Sequence, residues 1–210
     1  MITAFSDFNH RKASVQKLHA GDTIDMALCR YDRSSEDEFF MPHAAITCVR
    51  QGKKVVYLEG KKHEMKEGDA LFIPKYSVIY SDISVKKEAF LSLNTILHHN
   101  APPGDDAAAI LANIAATITD PLPLAELARL HHMSLSTFKR WALRHTGGSA
   151  GRWIGVRRLE RARYLLEHKR LTVSQACHES GFHDLSYFIG KFREHFGVTP
   201  GQFQKLSFLS

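Results

Sequence analysis

The side chains with the clearest chemical capacity in this sequence are three basic groups on one short segment, Lys139, Arg140 and Arg144 within LSTFKRWALRHTG (135–147). Ammonium and guanidinium groups at this spacing can donate to guanine N7 and O6 or to phosphate oxygens. Sulfur chemistry is sparse. Cys29, Cys48 and Cys177 are few, odd in number and widely spaced. That pattern argues against a disulfide scaffold or a cysteine-rich zinc site and fits small buried thiols.

What must hold the basic group is a pair of helices. LAELARLHH (124–132) is followed by Met133, a Ser134 cap and the segment 135–147, which closes at Gly147-Gly148. Two short helices joined by a tight turn have the outline of a helix-turn-helix. A long helix then runs through 149–169, its stripe of Trp153, Val156, Leu159, Ala162, Leu165 and Leu166 buried. Arg152, Arg157, Arg161 and Arg163 lie largely off that stripe, free for phosphates or for pairing with Glu160 and Glu167. The pattern then returns, with TVSQACHESGF (172–182) as helix and turn, 184–196 as a second helix, and Gly197 to Pro200 as a stop. FKRWALRHTGGSAGRW and FIGKFREHFGVTPGQF are not a strict repeat, but helix, glycine, small residues and aromatic follow in the same order. Ahead of these, Ile110, Leu111, Ile114 and Ile118 line one face of a helix that ends before Asp120-Pro121.

Charge follows the same division. Residues 1–100 carry 14 Lys and Arg against 13 Asp and Glu, whereas 101–210 carry 14 against 9. The basic excess of this 210-residue chain therefore belongs to its second half. Neither a membrane-spanning apolar run nor a signal peptide is visible, which points to the cytoplasm and away from a membrane.

Across roughly the last half, the residues resemble the AraC/XylS transcription regulators. The resemblance rests on Gly181-Phe182, Ser186-Tyr187-Phe188, Phe192, Phe196-Gly197, Thr199-Pro200 and Phe203. Upstream, Ala128, Ser134, Phe138, Arg140, Gly147, Trp153, Arg158-Leu159, Ala162 and Leu165-Leu166 fit as well. It implies a sequence-specific regulator, more often an activator, that binds promoter DNA and touches RNA polymerase without being an enzyme or holding a cofactor. It also puts Ser136, Thr137, Lys139, Arg140 and Arg144 of the first unit at the DNA. In the second unit the corresponding residues are Leu185, Ser186 and Ile189, with Gly190 where the family commonly has a basic residue. Leu185 and Ile189 can touch thymine methyl groups only, so Lys191, Arg193 and His183 are expected to hold phosphates there. Ala142 replaces an aromatic common in the family, offset by Trp141.

The first half reads as β-structure, with strands expected in 26–31, 44–49, 53–59, 70–74, 77–83 and 89–96 and turns at Gln51-Gly52, Glu59-Gly60 and Glu67-Gly68-Asp69. There is room for roughly six to eight strands in a sandwich or open barrel. The charged stretch 30–43 is expected as a mobile loop. Gly68-Asp69 followed by Leu71-Phe72-Ile73-Pro74 resembles the cupin-like barrel of the family. A cupin-type metal enzyme fused to a DNA-binding module is the alternative, but His43 and His63 stand alone and Val78 occupies the place of a later histidine. In the family such barrels take small effectors, dock regulatory proteins or dimerise. The candidate effector residues are Phe40, Tyr57, Phe72, Tyr76 and Phe90.

The expected fold class is α+β in two domains: an all-β cupin-like barrel over 1–97, a linker at 98–106 marked by Pro102-Pro103-Gly104, and an all-α double helix-turn-helix over 107–210. Such a barrel is shorter than the family's usual sensor, lacking its helical pair. The chain is then a monomer on DNA or a homodimer through the barrel.

Overall fold

A computed structural model of the protein describes residues 3–5, 8, 12–98, 106–120 and 122–207. The chain divides into two compact units, Met1–Asn113 and Ile114–Ser210.

The first unit is built on β1 (Thr3–Ala4), β2 (Ser14–Ala20), β3 (Ile24–Tyr31), β4 (Ser35–Met41), β5 (Ala44–Gln51), β6 (Lys53–Leu58), β7 (Lys61–Lys66), β8 (Ala70–Ile73), β9 (Ser77–Ser84) and β10 (Phe90–Leu97). They form two five-stranded sheets, one in the order β1-β4-β9-β6-β7 and the other β2-β3-β10-β5-β8. Apart from the parallel β1–β4 pair the ladders are antiparallel. Side chains alternate in and out along each strand. Ala27, Cys29 and Tyr31 of β3, Phe39 and Met41 of β4 and Ile79 and Ile83 of β9 meet in a single core drawn from both sheets. The β6–β7 hairpin turns on Glu59 and Gly60, with φ of 49° and 67°, the double left-handed geometry of a two-residue turn that matches strand twist.

Ten strands exceed the six to eight expected from sequence, because β2, β4 and β7 carry many charged or polar residues. The expected loop at 30–43 is corrected outright: β4 occupies Ser35–Met41 and pairs with β9 along its whole length. Its charge run alternates in register with the pleat. Asp37 is buried, accepting from Tyr31 Oη at 3.2 Å and Ser35 Oγ at 3.1 Å, while Glu36 and Glu38 occupy the alternate positions.

The helices are α1 (Ala107–Ala116), α2 (Leu124–Leu130), α3 (Leu135–Thr146), α4 (Ala150–Glu167), α5 (Val173–Glu179), α6 (Leu185–Phe196) and α7 (Pro200–Ser207). Of the expected linker, residues 99–105, including the Pro-Pro-Gly and Asp105, lie outside the described residues; Asp106 accepts the Ile110 N–H at 2.9 Å at the start of α1. The expected stop at Gly197 to Pro200 holds, α6 ending at Phe196 with Gly197 as its cap, and Pro200 then opens a further helix, α7, not expected from sequence. Thr199 Oγ1 accepts the Gln202 N–H at 3.3 Å and Gln202 Oε1 accepts the Thr199 N–H at 3.0 Å, a capping box ahead of a proline that needs no donor.

One contact joins the start of the helical unit to the second helix pair. Arg158 Nε donates to Ile118 O at 2.8 Å, and burial lowers the Arg158 pKa. Gly181, at φ +88°, lies so close that a Cβ there would stand 2.6 Å from the same oxygen. Gly181→Ala therefore combines left-handed strain with a backbone clash. It is expected to destabilise the helical unit by about 2–4 kcal/mol in urea or thermal unfolding; an unchanged midpoint would show that Ile118 does not rest on Gly181.

Candidate nucleic-acid interface

The local sequence sets both second helices. Ser134 caps α3, its Oγ accepting the Thr137 N–H at 3.1 Å, and Asp184 caps α6, its Oδ1 accepting the Tyr187 N–H at 2.8 Å. Both helices stop at a glycine in the left-handed region, Gly147 at φ 69° and Gly197 at φ 80°. Phe138 and Ala142 bury one stripe of α3, and Phe188 and Phe192 bury one stripe of α6. The opposite stripes are then turned outward.

The two halves correspond position by position at a constant offset of fifty: Ser134 and Asp184, Phe138 and Phe188, Gly147 and Gly197, Ser149 and Thr199, Trp153 and Phe203. Through this register, Lys139 matches Ile189, Arg140 matches Gly190 and Arg144 matches Glu194. Wherever the first helix presents a cation, the second presents an aliphatic group, nothing, or an acid.

On α3 the structure brings together Ser136, Lys139, Arg140 and Arg144, all exposed on one face. Thr137 is exposed beside them, its hydroxyl accepting from Ser134 Oγ at 2.8 Å. Neither Lys139, Arg140 nor Arg144 is held in an ion pair with a described residue. The α4 arginines differ. Arg157 pairs with Glu160 at 2.8 Å, Arg163 lies 3.5 Å from Glu167, and Arg161 Nε donates to Glu179 O at 3.1 Å. Arg163 also stands over the rings of Phe196 and Phe203, at 5.7 and 5.1 Å, tying α4 to the second core. These groups are structural, as their pairing with Glu160 and Glu167 in the sequence allows.

On α6, Leu185, Ser186, Ile189, Gly190 and Arg193 share the outward face, with Ile189 half-buried. Lys191 sits on a flank instead, bonded to Glu194 Oε2 at 2.7 Å and 6.0 Å from the Tyr187 ring. His183 is exposed one residue before the cap. Two further groups stand nearby: Tyr187, exposed in the first turn of α6 and not expected from sequence at the DNA, and Arg152, exposed in the first turn of α4 and among the arginines read as free for phosphates. The fifty-residue register was the available signal for Tyr187, because it matches Thr137.

In the barrel the five candidate effector residues do not converge. Phe40 and Tyr57 are buried but lie out of phase with the main core, Phe40 being stacked on Tyr76 at 6.4 Å. Phe72 is exposed, and Phe90 is in the core against Tyr31 at 6.0 Å. The interior holds a polar chain instead. Lys54 Nζ donates to Thr47 Oγ1 at 2.6 Å, Thr47 to Asn94 Oδ1 at 2.7 Å, and Asn94 Nδ2 to Ser92 Oγ at 3.0 Å. Beside it is a cavity of about 20 Å³ bounded by Tyr31, Thr47, Lys54, Ser81 and Ser92, room for about one water. Consecutive lysines opening a strand carried this signal, since alternation sends one of Lys53 and Lys54 inward. His43 meets His98 edge-on at 4.8 Å, and His98 Nε2 is 2.9 Å from Asp25. Among the described residues no three His, Cys, Asp or Glu side chains could hold a metal ion, and no helix is long and apolar enough to cross a membrane.

A β-barrel unit followed by two capped helix pairs on a shared long helix defines a protein with a tandem helix-turn-helix unit. Residues 127–206 match the family model described as "Helix-turn-helix domain". The HTH-type transcriptional activator RhaR of Escherichia coli (strain K12) is 29% identical over 98 residues, 47% of this chain and 35% of the relative. RhaR of Shigella flexneri serotype 5b (strain 8401) gives the same figures, so the match spans about a third of these relatives' length. Among solved structures, the C-terminal domain of the response regulator yesN from Fusobacterium nucleatum is 24% identical, with 48% of this chain and 99% of that chain covered and a TM-score of 0.46. A cupin superfamily protein from Desulfitobacterium hafniense DCB-2 is 17% identical, with 42% and 79% covered and a TM-score of 0.38. Residues 127–206 of this chain are therefore a helix-turn-helix domain.

Late in α6, His195 packs edge-on against Phe196 at 4.6 Å. Burial lowers its pKa below 6.5, and the cations of Arg157 and Arg152 lower it further. A histidine lowered by folding takes up its proton more readily when unfolded. It contributes nothing above pH 6.5 and destabilises the fold as the pH falls below that value. Thermal midpoints should therefore drop less between pH 7.5 and 5.5 in His195→Gln than in wild type; equal drops would show that His195 is not the titrating group.

Proposed function

We propose that this chain is a sequence-specific transcription regulator that places α3 and α6 in major grooves of promoter DNA. The observation that carries this is the contrast in the basic groups: those of α3 are exposed and uncommitted, while Arg157, Arg158, Arg161 and Arg163 of α4 and its surroundings are engaged in packing. Ser136, Thr137, Lys139, Arg140 and Arg144 supply the base readout of the first unit. Leu185, Ser186 and Ile189 read thymine methyl groups and shape in the second, while Arg193, with Lys191 and His183, holds phosphates. We infer activation, the role stated in RhaR's name, and further propose that it runs through contact with RNA polymerase in the cytoplasm; no catalytic step is assigned to any residue.

We assign the barrel (1–97), joined through 98–106 to the DNA-binding part (107–210), to sensing. The polar feature of its interior is the hydrogen-bonded Lys54–Thr47–Asn94–Ser92 network, with room beside it for about one water. Phe90, with Lys54 Nζ at 5.9 Å from its ring, is the expected aromatic nearest that network. Phe40, Tyr57, Phe72 and Tyr76 remain the more peripheral candidates.

The test begins by selecting bound sites from genomic fragments. On the selected site, Arg140→Ala should cost about 1–3 kcal/mol and relax discrimination at one guanine. If Arg140→Ala binds as wild type while Leu185→Ser and Ile189→Ser abolish discrimination, the two units have exchanged roles. Arg193→Gln should instead weaken binding equally on all sequences and reduce the slope of log K against log salt by about one. A sequence-dependent loss would make Arg193 a base reader.

A further inference from the structure

A helix leaves its last four carbonyls without donors of its own, and those of α5 are satisfied from two directions. Ala176 O accepts the Ser180 N–H at 3.1 Å, Cys177 O the Phe182 N–H at 3.0 Å and His178 O the Gly181 N–H at 2.9 Å, all from the residues that follow. The fourth, Glu179 O, accepts from another helix, Arg161 Nε of α4 at 3.1 Å. One turn back on α4, Arg158 Nε donates to Ile118 O at 2.8 Å. The turn between α5 and α6 rests on that bond. A Cβ on Gly181 would stand 2.6 Å from Ile118 O, 3.1 Å from Arg158 Nε and 3.2 Å from Thr119 Cα. Ser180 beside it is buried, its hydroxyl 3.0 Å from Cys177 O. Two guanidinium groups of α4 thus hold the place from which α6 starts, each through a charge-assisted bond to a carbonyl.

The hold passes on to α6. Phe182 of the turn packs on Phe188 at 5.1 Å, and near the far end of α6 Arg163 of α4 stands over Phe196 at 5.7 Å. The joint between α3 and α4 is tied as well. Thr146 Oγ1 lies 3.0 Å from Gly148 O, and Ser149 Oγ accepts the Arg152 N–H at 3.2 Å. α4 is therefore the common frame of both outward helices.

We propose that Arg158 and Arg161 are positioning residues for DNA recognition, which fasten the α5–α6 turn to α4 and so fix the phase at which α6 follows α3 along the duplex. This rests on the DNA-binding reading. Each base pair adds about 3.4 Å of rise and about 34° of rotation. A site lengthened by one base pair between the stretches read by α3 and α6 asks α6 to move that far relative to α3. Such a shift is larger than a hydrogen bond tolerates, so it breaks the arginine bonds or forgoes the contacts of one helix. The two arginines make spacing, besides base identity, part of what the chain reads.

The test uses the full chain on its selected site and on versions with one base pair added or removed between the two stretches, located by missing-base interference. Wild type should lose at least tenfold in affinity on either altered site. Arg158→Met with Arg161→Met should bind the original site more weakly, yet lose threefold or less on the altered ones, and keep its discrimination at the guanine read by Arg140. Should the double variant fail to fold, Arg161→Met alone should lower the spacing penalty at least twofold, and Arg161→Lys, which keeps a donor, should restore it. A merely structural role would reduce affinity by the same factor at every spacing, and that result overturns the proposal. So does a wild type that tolerates the added base pair. Both outcomes leave the DNA-binding reading standing, whereas a chain that selects no site overturns the two together.

Discussion

A twelve-residue helix in a very small subdomain can bury only one stripe, and that limit governs the whole helical unit. Phe138 and Ala142 fill the stripe of α3, and Phe188 and Phe192 fill that of α6. Once those are inside, the rotation of each helix is fixed and the residues about two positions away, half a turn round the helix, must face out. Capping then fixes its start. Ser134 and Asp184 hold the first-turn N–H groups, so each helix presents its outward face from its first residues. The outward face is thus a consequence of packing, and only the choice of side chains on it is left to specify a ligand.

The inequality of the two faces has a structural counterpart in the cores beneath them. The first unit has Ala142 where the second has Phe192, and Trp141 stacked on Phe138 at 5.7 Å makes up part of the missing volume from the flank. In the second unit Phe192 touches Phe188, Phe196 and Phe203, at 5.7, 4.6 and 5.8 Å. Arg163 of α4 closes over that cluster, so the long helix is bound to the second unit through a desolvated cation and two rings. The positive charge of the second half is therefore divided by use. Part of it holds helices together, and the part on α3 stays in water, where a polyanion can reach it.

The helical half was readable because its information is local. Helical period, Ser134, the glycines at 147 and 197 and the aromatic order lie within a few residues of the features they specify, and α2 to α6 follow them closely. The helix after the stop, α7, was missed because its capping box depends on Gln202, a polar residue with no weight of its own in an apolar pattern. The barrel was harder, since the facing of a strand depends on neighbours distant in sequence. A run such as SSEDEFFM reads as solvated until β9 is placed beside it and Asp37 is found to have Tyr31 and Ser35 as partners. The aromatic candidates shared the same difficulty. Phe39 and Phe40 are adjacent and both buried, and only the phase of β4 determines that Phe39 enters the main core while Phe40 is buried outside it.

The two units resolve the placement of apolar residues in opposite ways. The helical unit keeps its aromatic mass inside and its charge outside, the arrangement that a small domain needs to be stable alone. The barrel admits Lys54, Thr47, Ser92 and Asn94 to its interior and leaves Leu91, Leu93, Met26 and Leu28 on one outer face. Satisfied polar groups inside a barrel fix one arrangement of strands but add less stability than aliphatic side chains of similar size. In this chain the polar interior and the apolar exterior of one sheet are therefore linked, because β10 supplies both from alternate residues and a shift of register by one would exchange them.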